Sequence, residues 1–296
     1  MPHSSNAAES ATGGPCPAGS YCPMGSTTPQ SCPTGTYNSF PGMRTPADCI
    51  ACTPGYYCSG TSNPAPTGPC TAGYYCTSGS STPTQNEAQP GYYTLAGSSQ
   101  QIQCMPGSYS TSAGATSCTV CDAGLYCNLV GMTAGVSCPA GYYCAAGTIN
   151  PVPCSIGTFN PTAGSNAAGS CGPCTGGNYC DQEGMTAIGG TCAAGYFCTS
   201  GATSATPVVN MTGVTTTTPL TNFGMCPQGN YCPAGASSPT PCPAGYYLNA
   251  EGATALASCI ICPAGSYCAI SGLSLPSGLC AAGYYCPEGS TSQQAT

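Results

Sequence analysis

The spacing of the cysteines is the feature that most constrains this chain. The motif Cys-x-x-Gly-x-Tyr/Phe occurs 14 times in 296 residues, and in ten copies a second Cys follows the aromatic residue directly. Each of the other four copies is followed 14 or 17 residues later by a Cys that opens a Cys-x-x-Cys pair. These copies begin at Cys32, Cys104, Cys154 and Cys242, and the later cysteines are Cys49, Cys118, Cys171 and Cys259. Such self-similarity predicts a repeat protein.

A longer period lies above the motif. The eight cysteines from Cys16 to Cys76 recur with every spacing preserved at offsets of 122 and 210 residues, and four further cysteines precede the second set. Together they account for all 28 cysteines. The predicted organisation is an N-terminal segment (1–15), cysteine-rich block 1 (16–76), a Ser/Thr-rich spacer (77–103), block 2 (104–198), a Thr-rich spacer (199–225), block 3 (226–286) and a C-terminal segment (287–296).

Composition decides the fold class. About one residue in ten is Cys, which is typical of disulfide scaffolds, and Gly and Pro together number 42 + 30 = 72. We therefore expect small disulfide-rich repeats in an elongated tandem array of cystine-stapled turns and short β-hairpins, with little regular secondary structure. Disulfides persist in oxidising compartments, so the expected location is extracellular, either secreted or at the cell surface.

The motif residues have separate physical roles. Gly tolerates positive φ and supplies the turn, while Pro after the first Cys sets the entry into it. The aromatic ring can cover an adjacent disulfide from water. Each copy of the motif is therefore expected to be a small turn that is closed by sulfur and capped by a ring.

Two pairing schemes use all 28 cysteines. In the first, every Cys-x5-Cys segment closes on itself, as in Cys16–Cys22 and Cys226–Cys232. In the second, neighbouring segments cross-pair, as in Cys52–Cys70 with Cys58–Cys76, while Cys16–Cys22 and Cys226–Cys232 still close locally. The geometry of a disulfide permits closure over five intervening residues, which favours the first scheme without excluding the second. Four longer bridges are common to both schemes: Cys32–Cys49, Cys104–Cys118, Cys154–Cys171 and Cys242–Cys259.

Charge excludes one class of partner. The chain has eight acidic side chains and a single basic one, Arg44, with only 3% of residues ionisable. A nucleic-acid partner is not expected, because phosphates require a basic patch. No stretch approaches the ~18 apolar residues of a transmembrane helix. The N-terminus has no basic or apolar region of a signal peptide, so we expect a mature form or a piece of a longer precursor.

Enzymatic chemistry is not expected from these residues. The Cys-x-x-Cys pairs could suggest zinc or a redox dithiol, but each pair lies inside a larger pattern that disulfides explain. The sole imidazole is His3, which leaves no base for a nucleophilic triad. We therefore predict no catalytic residue, no metal site and no cofactor.

Sugar is the expected means of keeping so uncharged a surface hydrated. Asn210-Met-Thr is the only N-glycosylation sequon, and it lies in the Thr-rich spacer. Linkers such as Ser237-Ser-Pro-Thr-Pro241 are similar to O-glycosylated stalk segments. We expect glycans on Asn210 and on the Ser/Thr/Pro linkers.

The motif resembles a known extracellular repeat. Cys-x-Pro-Gly-x-Tyr units, with Gly114-Ala-Thr-Ser-Cys118-Thr-Val-Cys121 as the second part, look like the ephrin-receptor-like cysteine-rich repeat and, more loosely, the tumour-necrosis-factor-receptor domain. The resemblance covers nearly all of residues 16–286 and implies an extracellular stalk of the kind found in surface proteins of protists and algae.

Two functions follow as hypotheses. The first is a structural subunit that self-associates into an extracellular glycosylated filament, flagellar hair, cell coat or wall. The second is a receptor-type binding stalk that recognises a protein or a glycan. A structural subunit should bury surface against copies of itself, whereas a stalk should be monomeric alone.

Overall fold

The computed structural model describes residues 13–207 and 223–294. Within this part of the chain the regular structure consists of 28 short strands and three 3-10 helices, with no α-helix. The strands form 14 two-stranded sheets. The predicted fold class, small disulfide-rich repeats with little regular secondary structure, is confirmed.

Each sheet joins two strands that are consecutive along the chain. The first six sheets pair β1 (Ser20–Tyr21) with β2 (Gln30–Ser31), β3 (Thr36–Tyr37) with β4 (Ile50–Ala51), β5 (Tyr56–Tyr57) with β6 (Gly68–Pro69), β7 (Tyr74–Tyr75) with β8 (Asn86–Glu87), β9 (Tyr92–Tyr93) with β10 (Ile102–Gln103), and β11 (Ser108–Tyr109) with β12 (Thr119–Val120). The other eight pair β13 (Leu125–Tyr126) with β14 (Val136–Ser137), β15 (Tyr142–Tyr143) with β16 (Val152–Pro153), β17 (Thr158–Phe159) with β18 (Gly172–Pro173), β19 (Asn178–Tyr179) with β20 (Gly190–Thr191), β21 (Tyr196–Cys198) with β22 (Phe223–Met225), β23 (Asn230–Tyr231) with β24 (Thr240–Pro241), β25 (Tyr246–Tyr247) with β26 (Ile260–Ile261), and β27 (Ser266–Tyr267) with β28 (Gly278–Leu279).

The described residues fall into two compact units. The first comprises residues 13–121 and 127–136, and the second comprises 122–126, 137–207 and 223–294. Three 3-10 helices, Pro46–Asp48, Ala168–Ser170 and Leu256–Ser258, each directly precede the second cysteine of a 17-residue bridge. The described part of the chain has no helix that is long and apolar enough to cross a bilayer.

The hairpins follow the sequence repeat. Residues 5 and 6 of the seven-residue motif form the first strand, and the two residues before the next motif form the second. In the hairpin that starts at Cys138, Tyr142 faces Pro153 and Tyr143 faces Val152 in antiparallel register. Each hairpin therefore includes the two linker residues that precede the next motif, so the motif alone does not contain its complete hairpin.

One further repeat has no cysteine. Residues 88–94 read Ala-Gln-Pro-Gly-Tyr-Tyr-Thr, and Tyr92–Tyr93 pair with Ile102–Gln103 as in the other hairpins. The segment predicted as a Ser/Thr-rich spacer over residues 77–103 thus contains a hairpin repeat of its own. We number the repeats 1–15 by their first residues: Cys16, Cys32, Cys52, Cys70, Ala88, Cys104, Cys121, Cys138, Cys154, Cys174, Cys192, Cys226, Cys242, Cys262 and Cys280.

Backbone hydrogen bonds connect successive repeats within each unit. In the first unit the Gly55 amide donates to the Cys76 carbonyl at 2.9 Å, and the Cys70 amide donates back to the Gly55 carbonyl at 2.9 Å. The second unit repeats this exchange at Gly177, whose amide donates to Cys198 at 2.7 Å while its carbonyl accepts from Cys192 at 2.9 Å. Because main-chain groups make these bonds, they do not depend on the variable side chains.

The motif glycine lies against a second glycine two repeats further along. Gly141 has a φ of +85°, and a Cβ placed on it would lie 2.1 Å from the carbonyl oxygen of Gly184. The same approach recurs in the first unit, where a Cβ on Gly91 would lie 2.2 Å from the Gly131 oxygen. Two features therefore require glycine at this motif position: the positive φ of the predicted turn, and a close backbone contact that leaves no room for a side chain.

Candidate functional site

Fourteen disulfides are the dominant chemical feature, and they include every cysteine of the chain. The four longer bridges are Cys32–Cys49, Cys104–Cys118, Cys154–Cys171 and Cys242–Cys259. The ten Cys-x5-Cys segments each close on themselves: Cys16–Cys22, Cys52–Cys58, Cys70–Cys76, Cys121–Cys127, Cys138–Cys144, Cys174–Cys180, Cys192–Cys198, Cys226–Cys232, Cys262–Cys268 and Cys280–Cys286. This is the local scheme of the two that the sequence left open.

The Cys-x-x-Cys pairs are divided between two bridges. Cys49 is bonded back to Cys32, and Cys52 is bonded forward to Cys58. Neither sulfur is a thiolate, which is the form that binds metal or attacks a disulfide. Among the described residues no group of three or more His, Cys, Asp or Glu side chains could hold a metal ion.

Aromatic rings cover these bridges from the preceding repeat. Phe197 of repeat 11 packs against the buried Cys226–Cys232 cluster of repeat 12. Tyr179 of repeat 10 likewise packs on the cluster of Cys192 and Cys198 in repeat 11, together with Tyr196 of that repeat. In both cases the ring at motif position 6 packs on the next bridge along the chain, so each of these two small cores contains residues from two repeats.

Motif position 7 is buried even where it is not Cys. Asn38, Asn160, Ser110, Thr94 and Leu248 occupy it in the five repeats that lack the Cys-x5-Cys closure, and all are at most 3% exposed. The amide of Asn160 donates to the Tyr142 carbonyl at 3.0 Å, and its side-chain oxygen accepts from the Thr162 backbone at 3.0 Å. Asn160 thus replaces the sulfur in the core with a side chain that finds backbone partners.

The backbone of Arg44, the only basic residue, takes part in a local loop contact. The carboxylate of Asp48 accepts from the backbone amides of Arg44 at 2.9 Å and Thr45 at 2.8 Å, and from the Thr45 hydroxyl at 3.1 Å. The amide donors of Arg44 and Thr45 lower the pKa of Asp48 below its usual value. The contact ties the loop inside the Cys32–Cys49 bridge and offers no additional ligand group.

The described surface combines few charges with many exposed apolar side chains. Among the described residues 24 large apolar or aromatic side chains are exposed. Five of them occupy the same strand position two residues before a motif and are 41–51% exposed: Ile50, Ile102, Val136, Val152 and Ile260. An open groove of about 400 Å³ lies beside Tyr93 and Met105.

The candidate glycan sites differ in what the structure describes. Ser237, Ser238 and Thr240 of the predicted linker are exposed. Asn210 lies outside the described residues.

No protein-family model and no curated protein matches this sequence, so the resemblance to ephrin-receptor-like repeats depends on the motif residues alone.

The cysteine motif did not reveal one repeat of the structure. The cysteine-free repeat 5 carries Pro90-Gly91-Tyr92-Tyr93 at the usual motif positions, but Ala88 and Thr94 replace both cysteines. A search for the Gly-Tyr-Tyr core without requiring Cys would have found it.

Proposed function

We propose that this protein is a structural subunit of an extracellular assembly, such as a filament, flagellar hair, cell coat or wall, formed by self-association of copies of the chain. The observation that carries the proposal is the surface. In the part of the chain that the structure describes, it exposes 24 large apolar or aromatic side chains, while the whole sequence has one basic and eight acidic residues. Copies of such a chain repel each other weakly, and exposed apolar side chains favour association.

The architecture supports the same role. Successive repeats within a unit are joined by main-chain hydrogen bonds and by cystine cores that two repeats share. This arrangement presents similar faces at regular intervals, and repeated faces suit open association of copies. The proposal assigns the chain no enzymatic activity.

The disulfides support an extracellular setting. Fourteen bridges with no free cysteine are stable in an oxidising compartment and unfavourable in the cytosol. In the proposed assembly, sugar on exposed linkers such as Ser237–Thr240 covers the surface that copies do not bury.

The test is the oligomeric state of the oxidised full chain. Sedimentation velocity and negative-stain microscopy over about 1–100 µM protein should show particles that grow with concentration. Growth should change little with sodium chloride, because few charges are present, and should increase with sulfate, which strengthens apolar burial. A chain that stays monomeric throughout this range refutes the structural role and promotes the receptor-type stalk.

A triple variant tests whether apolar surface drives the association. Leu129→Ser, Ile270→Ser and Leu275→Ser replace side chains that are 62–64% exposed, so the fold should be unaffected. We expect the concentration needed for assembly to rise at least tenfold. Three exposed Thr→Ser changes at Thr116, Thr119 and Thr240 are the matched control and should leave it unchanged.

The glycan part of the proposal is tested separately. The intact mass of native material should exceed 29.0 kDa by the mass of attached sugar. Peptide mapping should place sugar on the exposed Ser/Thr/Pro linkers. Native material of unmodified mass would remove the glycan from the proposal without affecting self-association.

A further inference from the structure

Repeat 5 is a hairpin without covalent closure. Ala88 and Thr94 stand at motif positions 1 and 7, where ten other repeats carry a disulfide, and both side chains are fully buried. The backbone is otherwise that of its neighbours: the Gly91 amide donates to Ser110 at 2.9 Å, and the Cys104 amide donates to Gly91 at 2.9 Å. The repeat therefore has the usual hydrogen bonds but lacks the usual bridge.

Its core also contains an unpaired polar atom. The Thr94 hydroxyl is buried and has no hydrogen-bond partner. A buried hydroxyl of this kind is destabilising, because the water it has lost is not replaced. Asn160 at the same motif position differs, since its side chain bonds to the Tyr142 carbonyl at 3.0 Å.

The missing bridge leaves a long stretch of chain without a covalent cross-link. The 27 residues between Cys76 and Cys104 contain no cysteine. Elsewhere in the first unit the stretches between successive disulfide loops contain at most 11 residues, the longest being 59–69 between Cys58 and Cys70. When repeat 5 opens, no disulfide limits the extension of residues 77–103, whereas in the other repeats a disulfide limits the corresponding segment.

We infer that residues 77–103 open as a unit while all 14 disulfides remain intact, which makes this segment an extensible element of the chain. Fully extended, the chain from Cys76 to Cys104 spans about 95 Å. This property is independent of self-association, because it depends on the local stability of one repeat. Its use would be to lengthen under tension without breaking a covalent bond.

The size of the effect follows from the absent loop. A disulfide that closes seven residues restricts the opened chain enough to suppress opening about 50-fold. Native-state amide exchange of the oxidised full chain should therefore show the Gly91 and Thr94 amides exchanging about 50 times faster than those of Gly141 and Cys144 in repeat 8, which the Cys138–Cys144 bridge closes. All four amides donate to backbone carbonyls at 2.8–3.1 Å, and none of these carbonyls lies within residues 77–103, so the amides are matched probes.

The variant Ala88→Cys with Thr94→Cys tests the cause. We expect a fifteenth bridge, seen as the absence of alkylated thiol, and loss of the 50-fold difference. The Gly141 and Cys144 amides of repeat 8 serve as the internal control, since their exchange should not change.

A second variant keeps the inference testable if the new bridge does not form. Thr94→Val removes the unpaired hydroxyl at nearly constant volume, and we expect exchange at Gly91 to slow about fivefold. The inference is overturned if Gly91 and Gly141 exchange at the same rate in the native chain. It is also overturned if a formed fifteenth bridge leaves the exchange of repeat 5 unchanged.

Discussion

Substituting two equivalent glycines separates the strain of the turn from the contact between repeats. Gly141 and Gly265 both follow Cys-Pro-Ala, with φ of +85° and +82°. A Cβ on Gly141 would lie 2.1 Å from the Gly184 oxygen, whereas a Cβ on Gly265 meets nothing within 4 Å among the described residues. The variants Gly141→Ala and Gly265→Ala therefore share the backbone strain and differ in the contact.

The magnitudes follow from these two contributions. An alanine at positive φ costs roughly 1–2 kcal/mol, and both variants should lose that much local stability. The Gly141 variant must also move the backbone, which disturbs the hydrogen bonds from Gly141 to Asn160 and from Cys154 to Gly141, both 2.8 Å long. At about 1 kcal/mol for each bond, the additional loss is about 2 kcal/mol or more. The total for Gly141→Ala is about 3–4 kcal/mol.

Amide exchange under native conditions, with the disulfides intact, measures the difference locally. The Cys154 amide reports on Gly141 and the Cys280 amide reports on Gly265, because each donates to the carbonyl of that glycine. Relative to the unmodified chain, exchange should accelerate about 30-fold more at Cys154 than at Cys280, which corresponds to about 2 kcal/mol. Equal acceleration in the two variants would refute the claim that the motif glycine is required for packing between repeats.

Three further predictions concern the core, the loop and the bridges. Asn160→Ala should cost about 1–2 kcal/mol more local stability than Asn160→Leu by amide exchange, because both variants leave the Tyr142 carbonyl without its donor and only Ala also leaves a cavity at a motif position that Leu248 fills in another repeat; equal costs would contradict this. Because the folded pKa of Asp48 is lowered, its carboxylate stabilises the loop at pH values above the unfolded pKa of 3.8, and this stabilisation disappears as the pH falls through the folded pKa. The Thr45 amide resonance should therefore titrate below about pH 4, and Asp48→Asn should abolish that titration. Complete reduction should abolish amide protection and circular-dichroism transitions, because each bridge contributes about 2–4 kcal/mol; protection that survives reduction would show that the hairpins do not need the cystine cores.

The sequence alone determined the covalent character of the fold. Fixed cysteine spacings, together with Gly and Pro at constant motif positions, were sufficient to predict small disulfide-rich repeats of turns and hairpins. They also named the bridge Cys32–Cys49 and its three counterparts, because both pairing schemes share them. These features are local in the chain, so a residue pattern carries them directly.

Only the tertiary structure decided how one repeat meets the next. Parity permitted both local and crossed pairing of the Cys-x5-Cys segments, and the choice depends on where each backbone turn places its Cα atoms. The contact of Gly141 with Gly184 and the packing of Phe197 on the following bridge join residues that lie 43 and 29–35 positions apart. Repeat 5 was hidden because cysteine marked the other repeats, whereas glycine at positive φ and main-chain hydrogen bonds define the hairpin itself. Those backbone interactions persist when Ala88 and Thr94 replace sulfur, and no count of cysteines can reveal them.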